Sequence, residues 1–146
     1  MKIEDGEIEK YRNIAINGED LDREICLQPA NHLFVSELSV AADQQYELFK
    51  VQAQQLYASI DSQVREEAAA AGKKITEAAV TMQIERHDDY RRAQKTLMGL
   101  RGRRELLRAL RESWKMRSDL VMELSRRQRD QMFVASGAVH KSAIAA

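Results

Sequence analysis

Turn-formers are scarce in this chain of 146 residues, with Pro29 as its one proline and only six glycines. So few breakers leave room for few turns, which predicts a handful of long elements. Cys26 is the sole cysteine, so no disulfide forms within the chain, and a reducing compartment suits it. Aromatic residues make up 5% of the sequence and β-branched residues are not clustered, so little argues for strands. No segment approaches the roughly 18 consecutive apolar residues of a membrane span, and the acidic start lacks a signal-peptide pattern. The expectation is a soluble, cytoplasmic, all-α protein of one domain.

What is abundant is charge, and it is divided unevenly. Net charge is zero, yet residues 1–89 hold nine Lys/Arg against eighteen Asp/Glu and residues 90–146 hold fourteen against five. The basic half is mostly arginine, whose planar fork suits bidentate capture of phosphate or carboxylate. Either the halves neutralise one another within the fold, or the second half meets an external polyanion.

Periodicity places the elements. Residues 1–28 form a short N-terminal helical segment, with Ile3, Ile8 and Tyr11 on one side of a first helix and Asp20 capping a second short helix over 20–25. Residues 29–132 form a long antiparallel helical hairpin. Its first arm starts near Pro29 or Ala30, where proline suits the first turn, and runs to about Ala71. The apolar stripe is Phe34, Leu38, Ala41, Leu48, Phe49, Ala53, Leu56, Ile60, Val64 and Ala68. The alanine run ending at Gly72 predicts a C-cap, and Thr76-Glu77 opens a shorter helix with Val80 and Ile84 inward. His87-Asp88-Asp89 breaks and re-caps the chain before a second long arm from about Asp89 to Met132. That arm's stripe is Tyr90, Ala93, Leu97, Leu100, Leu107, Leu110, Trp114, Val121 and Leu124, and Arg117 falls where an apolar residue is expected. Residues 133–146 form a C-terminal tail, frayed or docking. A hairpin buries one stripe per helix, a thin core for this length, so assembly into an oligomeric helical ring or bundle is the expected remedy. Leu97, Leu100, Leu107, Leu110, Trp114, Val121 and Leu124 are the candidates for core or oligomer packing.

Catalytic constellations are thin. His32, His87 and His140 lack nucleophile or metal-ligand spacing, and neither a phosphate loop nor a Rossmann fingerprint is found. Glu85 to Asp89 sets an imidazole among carboxylates, but without a second His or Cys the pattern favours helix capping over a metal. Cys26, between Ile25 and Leu27, reads as a small buried hydrophobe. The expectation is no enzyme, no cofactor and no metal.

The arginine-rich arm carries the strongest candidate site. Arg101, Arg104, Arg108 and Arg111 stand three, four and three residues apart, so their heads line one helical face. With Arg91, Arg92, Lys95 and Arg103 they form a surface suited to a nucleic-acid backbone, and Tyr46, Tyr57, Tyr90 or Trp114 offer rings for unpaired bases. Core packing is the commoner role for Tyr90 and Trp114. The competing reading is pairing with the acidic first arm, whose Glu37, Asp43, Glu47, Asp61, Glu66 and Glu67 face only Lys50 and Arg65. Exposed pairs contribute about 0–1 kcal/mol each, so they orient helices more than they stabilise them. Gly99 and Gly102 inside a helix suggest a close helix crossing, with a hinge or strand-binding role second.

The order of elements resembles one family. An acidic start leads to Leu21-Asp22-Arg23-Glu24, then Pro29-Ala30-Asn31-His32-Leu33-Phe34 opens a long helix containing Gln52-Ala53-Gln54. After a charged break, a final long helix carries Trp114-Lys115-Met116-Arg117-Ser118. Over residues 14–130 this layout is similar to the bacteriophage recombination mediators of the UvsY type. The resemblance implies a helical ring, a hexamer or heptamer, in the host cytoplasm. It also implies binding to single-stranded DNA, partnership with a single-strand binding protein, and loading of a RecA-like recombinase. The family carries basic residues and tyrosines late in the first long helix. Here Tyr57 to Glu66 holds one cation, Arg65, so either the expected DNA surface moves to the Arg-rich second arm or DNA binding is weak. A structural or adaptor oligomer without DNA binding is the alternative.

Overall fold

The computed structural model describes the backbone of residues 5–144 and the side chains of residue 6 and residues 8–135. Its helices are α1 (Asp5–Arg12), α2 (Leu21–Ala70), α3 (Glu77–Arg86) and α4 (Asp88–Ile144), with no strand among the described residues. The chain is all-α. It divides into two compact units, one of Met1–Leu38 with Arg108–Ala146 and one of Ser39–Leu107.

The first unit joins α1, the start of α2 and the later part of α4. Its buried apolar residues are Ile8, Leu21, Val35, Leu38, Leu110, Trp114 and Val121. Tyr11 stacks on Phe34 at 4.8 Å between ring centroids and meets Trp114 edge-on at 6.2 Å, so α1 is fastened by rings. The Trp114 Nε1–H donates to the Tyr11 carbonyl at 2.9 Å, satisfying the polar edge of a buried indole. Asp20 caps α2, its carboxylate accepting from the Arg23 N–H at 3.3 Å. Gln28 and Glu24 pair with Arg117 of α4, and the Gln28 Nε2 donates to the Trp114 carbonyl at 2.7 Å. Residues early in α2 thus meet residues later in α4, so the two helices run antiparallel here.

The second unit joins the later part of α2, α3 and the start of α4. Ile60, Val64, Val80 and Ile84 form its core, with Leu56, Ile75 and Tyr90 packed against them. α2 ends in a Schellman motif: the Lys73 N–H reaches the Ala68 carbonyl and the Gly72 N–H the Ala69 carbonyl, both at 3.0 Å. Gly72 takes φ of +64°, the left-handed conformation this cap requires. Thr76 caps α3, its hydroxyl accepting from the Ala79 N–H at 3.3 Å. His87 then separates α3 from α4, donating its backbone N–H to the Ile84 carbonyl and accepting at Nδ1 from the Asp89 N–H.

Burial along the long helices follows a seven-residue spacing. In α4 the inward series is Ala93, Leu100, Leu107, Trp114 and Val121; in α2 it is Leu21, Gln28, Val35 and Ala42. Such spacing marks coiled-coil seams, whose contact residues recur every 3.5 positions rather than 3.6.

Several expectations need correction. The break at Gln28-Pro29 is absent, because α2 runs continuously through Pro29. An interior proline removes one helix hydrogen bond. Here Gln28 on one side of it and Val35 and Leu38 on the other are buried and hold the axis. α4 does not stop at Met132 but continues to Ile144, a stretch without proline in which Gly137 is the one glycine. Leu48 and Leu124 are exposed rather than inward; Phe34, Ala41 and Leu48 repeat every seven residues like the buried Val35 and Ala42, but one position earlier, about 100° around α2. Cys26 is exposed rather than buried, because it lies on the side of α2 opposite Leu21 and Gln28. Ile3 lies outside the described residues, as do the side chains of His140 and Lys141.

Candidate nucleic-acid interface

The first five turns of α4 separate the candidate cations by what each touches. Arg92 is tied to Asp89 one turn back, and that bond raises its pKa. Arg104 is drawn inward, its side chain only 15% exposed. It approaches Glu47 of α2 at 3.7 Å and Asp43 at 3.9 Å, binds Glu105 at 2.8 Å, and covers the Tyr46 ring at 4.0 Å. The Glu105 bond is the main reason its pKa is raised. Arg103 is half-buried along the seam.

Arg91, Lys95 and Arg101 differ. All three are exposed and none forms an ion pair with an acidic side chain among the described residues. The Arg91 Nε donates to the Glu85 carbonyl at the end of α3 at 3.2 Å, which anchors the arm and leaves the guanidinium tips outward. Arg91, Lys95, Met98 and Arg101 share the solvent side of α4, over a rise of about 15 Å from first to last. Met98 stands 75% exposed among these cations.

The row Arg101, Arg104, Arg108 and Arg111 is therefore not uniform. Arg108 and Arg111 belong to the first unit, both half-buried, with Arg111 3.6 Å from Glu112. Of the packing candidates, Leu107, Leu110, Trp114 and Val121 are buried, Leu97 and Leu100 half-buried, and Leu124 exposed. Trp114 turns its ring to Tyr11 and Arg117, so it offers no face to a base. Tyr57 and Tyr90 meet edge-on at 5.8 Å, with Tyr57 partly open to solvent.

Arg65, the single cation of the Tyr57 to Glu66 stretch, is engaged in ion pairs. Its guanidinium meets both Glu77 oxygens at 2.9 and 2.6 Å and Asp61 at 2.9 Å. These bonds raise its pKa and lower that of Glu77. Among the described residues no group of three or more His, Cys, Asp or Glu could hold a metal ion, and His87 serves as a helix cap.

Gly99 and Gly102 do not mark a helix crossing within this chain, since a Cβ built on either meets nothing within 4 Å. A glycine inside an exposed helix costs about 1 kcal/mol relative to alanine. Gly99→Ala and Gly102→Ala are therefore each expected to stabilise the protein by about 1 kcal/mol in urea unfolding. A loss of stability would show that the glycines serve a close contact.

The residue group that periodicity did not assemble is the one around Arg117, which is 5% exposed. Its Nε donates to the Ile14 carbonyl and one Nη to the Ala15 carbonyl, both at 3.0 Å. The remaining bonds go to Gln28 and Glu24, with the Trp114 ring 4.9 Å away. The available signal was an arginine at an apolar position. Comparison with protein-family models, curated proteins and solved structures finds no match to this chain.

Proposed function

We propose that this protein is an oligomeric recombination mediator that binds single-stranded DNA through the outer face of α4. The observation that carries the reading is the exposed set Arg91, Lys95 and Arg101, which lacks acidic partners among the described residues and surrounds Met98. Free cations along one helical face track a phosphate backbone, and an exposed apolar side chain between them meets unstacked bases. The resemblance to the UvsY-type mediators extends the reading. On it, the protein forms a hexamer or heptamer, weakens the hold of a single-strand binding protein, and helps load a RecA-like recombinase.

The reading is tested by measuring mass in solution with and without a single-stranded oligonucleotide at two salt concentrations. Co-migration at low salt that weakens at high salt is expected. No bound oligonucleotide at low salt would reject the DNA surface.

A second reading, a structural adaptor without DNA binding, draws on Arg104. Its approach to Asp43 and Glu47 supports a reading in which cations of α4 pair with carboxylates of α2 within the second unit. An adaptor retains no oligonucleotide, so the same measurement separates the two.

A further inference from the structure

The outward side of α2 in the second unit carries a stripe that its own chain leaves uncovered. Leu48 is 63% and Val51 49% exposed, opposite the inward Ala42, Ala53 and Ile60. Gln44, Gln55 and Ala58 are exposed on the same side, and Ala41 is half-buried at its edge. The stripe Ala41, Gln44, Leu48, Val51, Gln55, Ala58 is spaced three, four, three, four, three. It reads the same by residue class from either end: alanine, glutamine, aliphatic, aliphatic, glutamine, alanine.

We infer that this stripe is a self-complementary contact by which α2 pairs antiparallel with α2 of a second copy of the chain. A two-fold contact must present one patch to itself, and a palindromic stripe meets that requirement. With the axis between Leu48 and Val51, Leu48 faces the second copy's Val51, Gln44 faces Gln55 and Ala41 faces Ala58. Spacing of three and four is that of a coiled-coil seam.

Charge agrees with this occupant. Charged residues make up 32% of the whole chain, yet from Gln44 to Ser59 the only ones are Glu47 and Lys50, which pair with each other at 3.6 Å. Antiparallel pairing sets Glu47 opposite Gln52, so no like charges meet. The stripe carries no cation for a phosphate backbone. Arg91, Lys95 and Arg101 are exposed on α4 and are not part of the stripe.

The inference rests on the oligomeric part of the reading above and adds to it. A two-fold contact fixes an even number of chains, so a hexamer built of three such pairs accommodates it and a heptamer does not. A five-turn helix pair is a short interface, so it dissociates on dilution.

Sedimentation equilibrium of the full chain without nucleic acid tests the pairing, so its failure leaves DNA binding untouched. An even number of chains is expected at high concentration. Leu48→Glu with Val51→Glu is expected to lower the mass at least two-fold while circular dichroism stays helical, since both side chains are exposed. Gln44→Glu with Gln55→Lys is expected to keep the mass, because opposite charges meet across the antiparallel pair. Gln44→Glu with Gln55→Glu is expected to lose it. A single chain at every concentration, an odd number of chains, or unchanged mass in the Leu48/Val51 variant would overturn the inference. Loss of mass in the Gln44→Glu, Gln55→Lys variant would overturn the antiparallel register.

Discussion

Arg117→Ala is expected to destabilise the protein by about 3–5 kcal/mol, the usual consequence of removing one partner of a buried charge pair. The guanidinium is 6% exposed and Glu24 18%, so solvent replaces little of what is lost. Truncation leaves the Ile14 and Ala15 carbonyls, the Gln28 amide oxygen and the Glu24 carboxylate without their donor. Each is a buried or part-buried acceptor that exacts a desolvation penalty once unpaired. Urea unfolding followed by Trp114 fluorescence reports the loss, since Trp114 is the only tryptophan and packs on Arg117. A change under about 1 kcal/mol would show that the group is solvated and dispensable.

The same group sets an acid limit. Glu24 is held below the ordinary glutamate pKa, chiefly by the Arg117 hydrogen bond and next by the Asn17 N–H. A carboxylate depressed in the folded state stabilises the fold above its unfolded pKa, about 4.3. That contribution is lost as pH falls below this value and through the folded pKa. Glu24→Gln is therefore expected to lower stability at pH 7 and to flatten the fall in stability between about pH 5 and 3. An equally steep acid limb in this variant would assign it to other carboxylates.

Arg91→Gln with Lys95→Gln and Arg101→Gln is expected to remove most salt-dependent binding of single-stranded DNA. Each phosphate contact contributes about 0.7 to the log–log salt slope on single strands, so three lost contacts flatten it by about 2. Arg104→Gln is expected to leave the slope nearly unchanged, because its guanidinium is engaged by Asp43, Glu47, Glu105 and the Tyr46 ring. A reversed ranking, with Arg104 dominant, would mean that DNA displaces the α2 carboxylates. Circular dichroism of the triple variant is expected to match the parent, since all three side chains are exposed.

Local signals were legible where a single residue fixes the backbone. Gly72 ends α2, Thr76 opens α3, and His87 separates α3 from α4, each through bonds within a few residues. Pro29 misled because its cost is local, whereas the burial of Gln28 and Val35 that keeps α2 whole is tertiary. Leu48 misled for a different reason. Phe34, Ala41 and Leu48 step by seven, as the series Leu21, Gln28, Val35 and Ala42 does, but one position earlier, and only packing decides which of the two rows faces inward. The outward stripe on α2 was readable in the sequence once Leu48 was removed from the core.

The sequence by itself determined the all-helical class, the breaks at Gly72 and His87 and the contrast between an acidic α2 and a basic α4, because propensity, capping and composition act over a few residues. Which arginines are engaged was decided by tertiary structure. Arg101 and Arg104 are one turn apart and chemically identical. Yet Arg104 faces Asp43 and Glu47, more than fifty residues earlier, while Arg101 faces solvent. That difference depends on the register of one helix against another, which no local pattern encodes. Arg117 follows the same logic: an arginine in an apolar seam is a defect in sequence and becomes a satisfied junction only when Glu24, Gln28 and the 14–15 carbonyls converge on it.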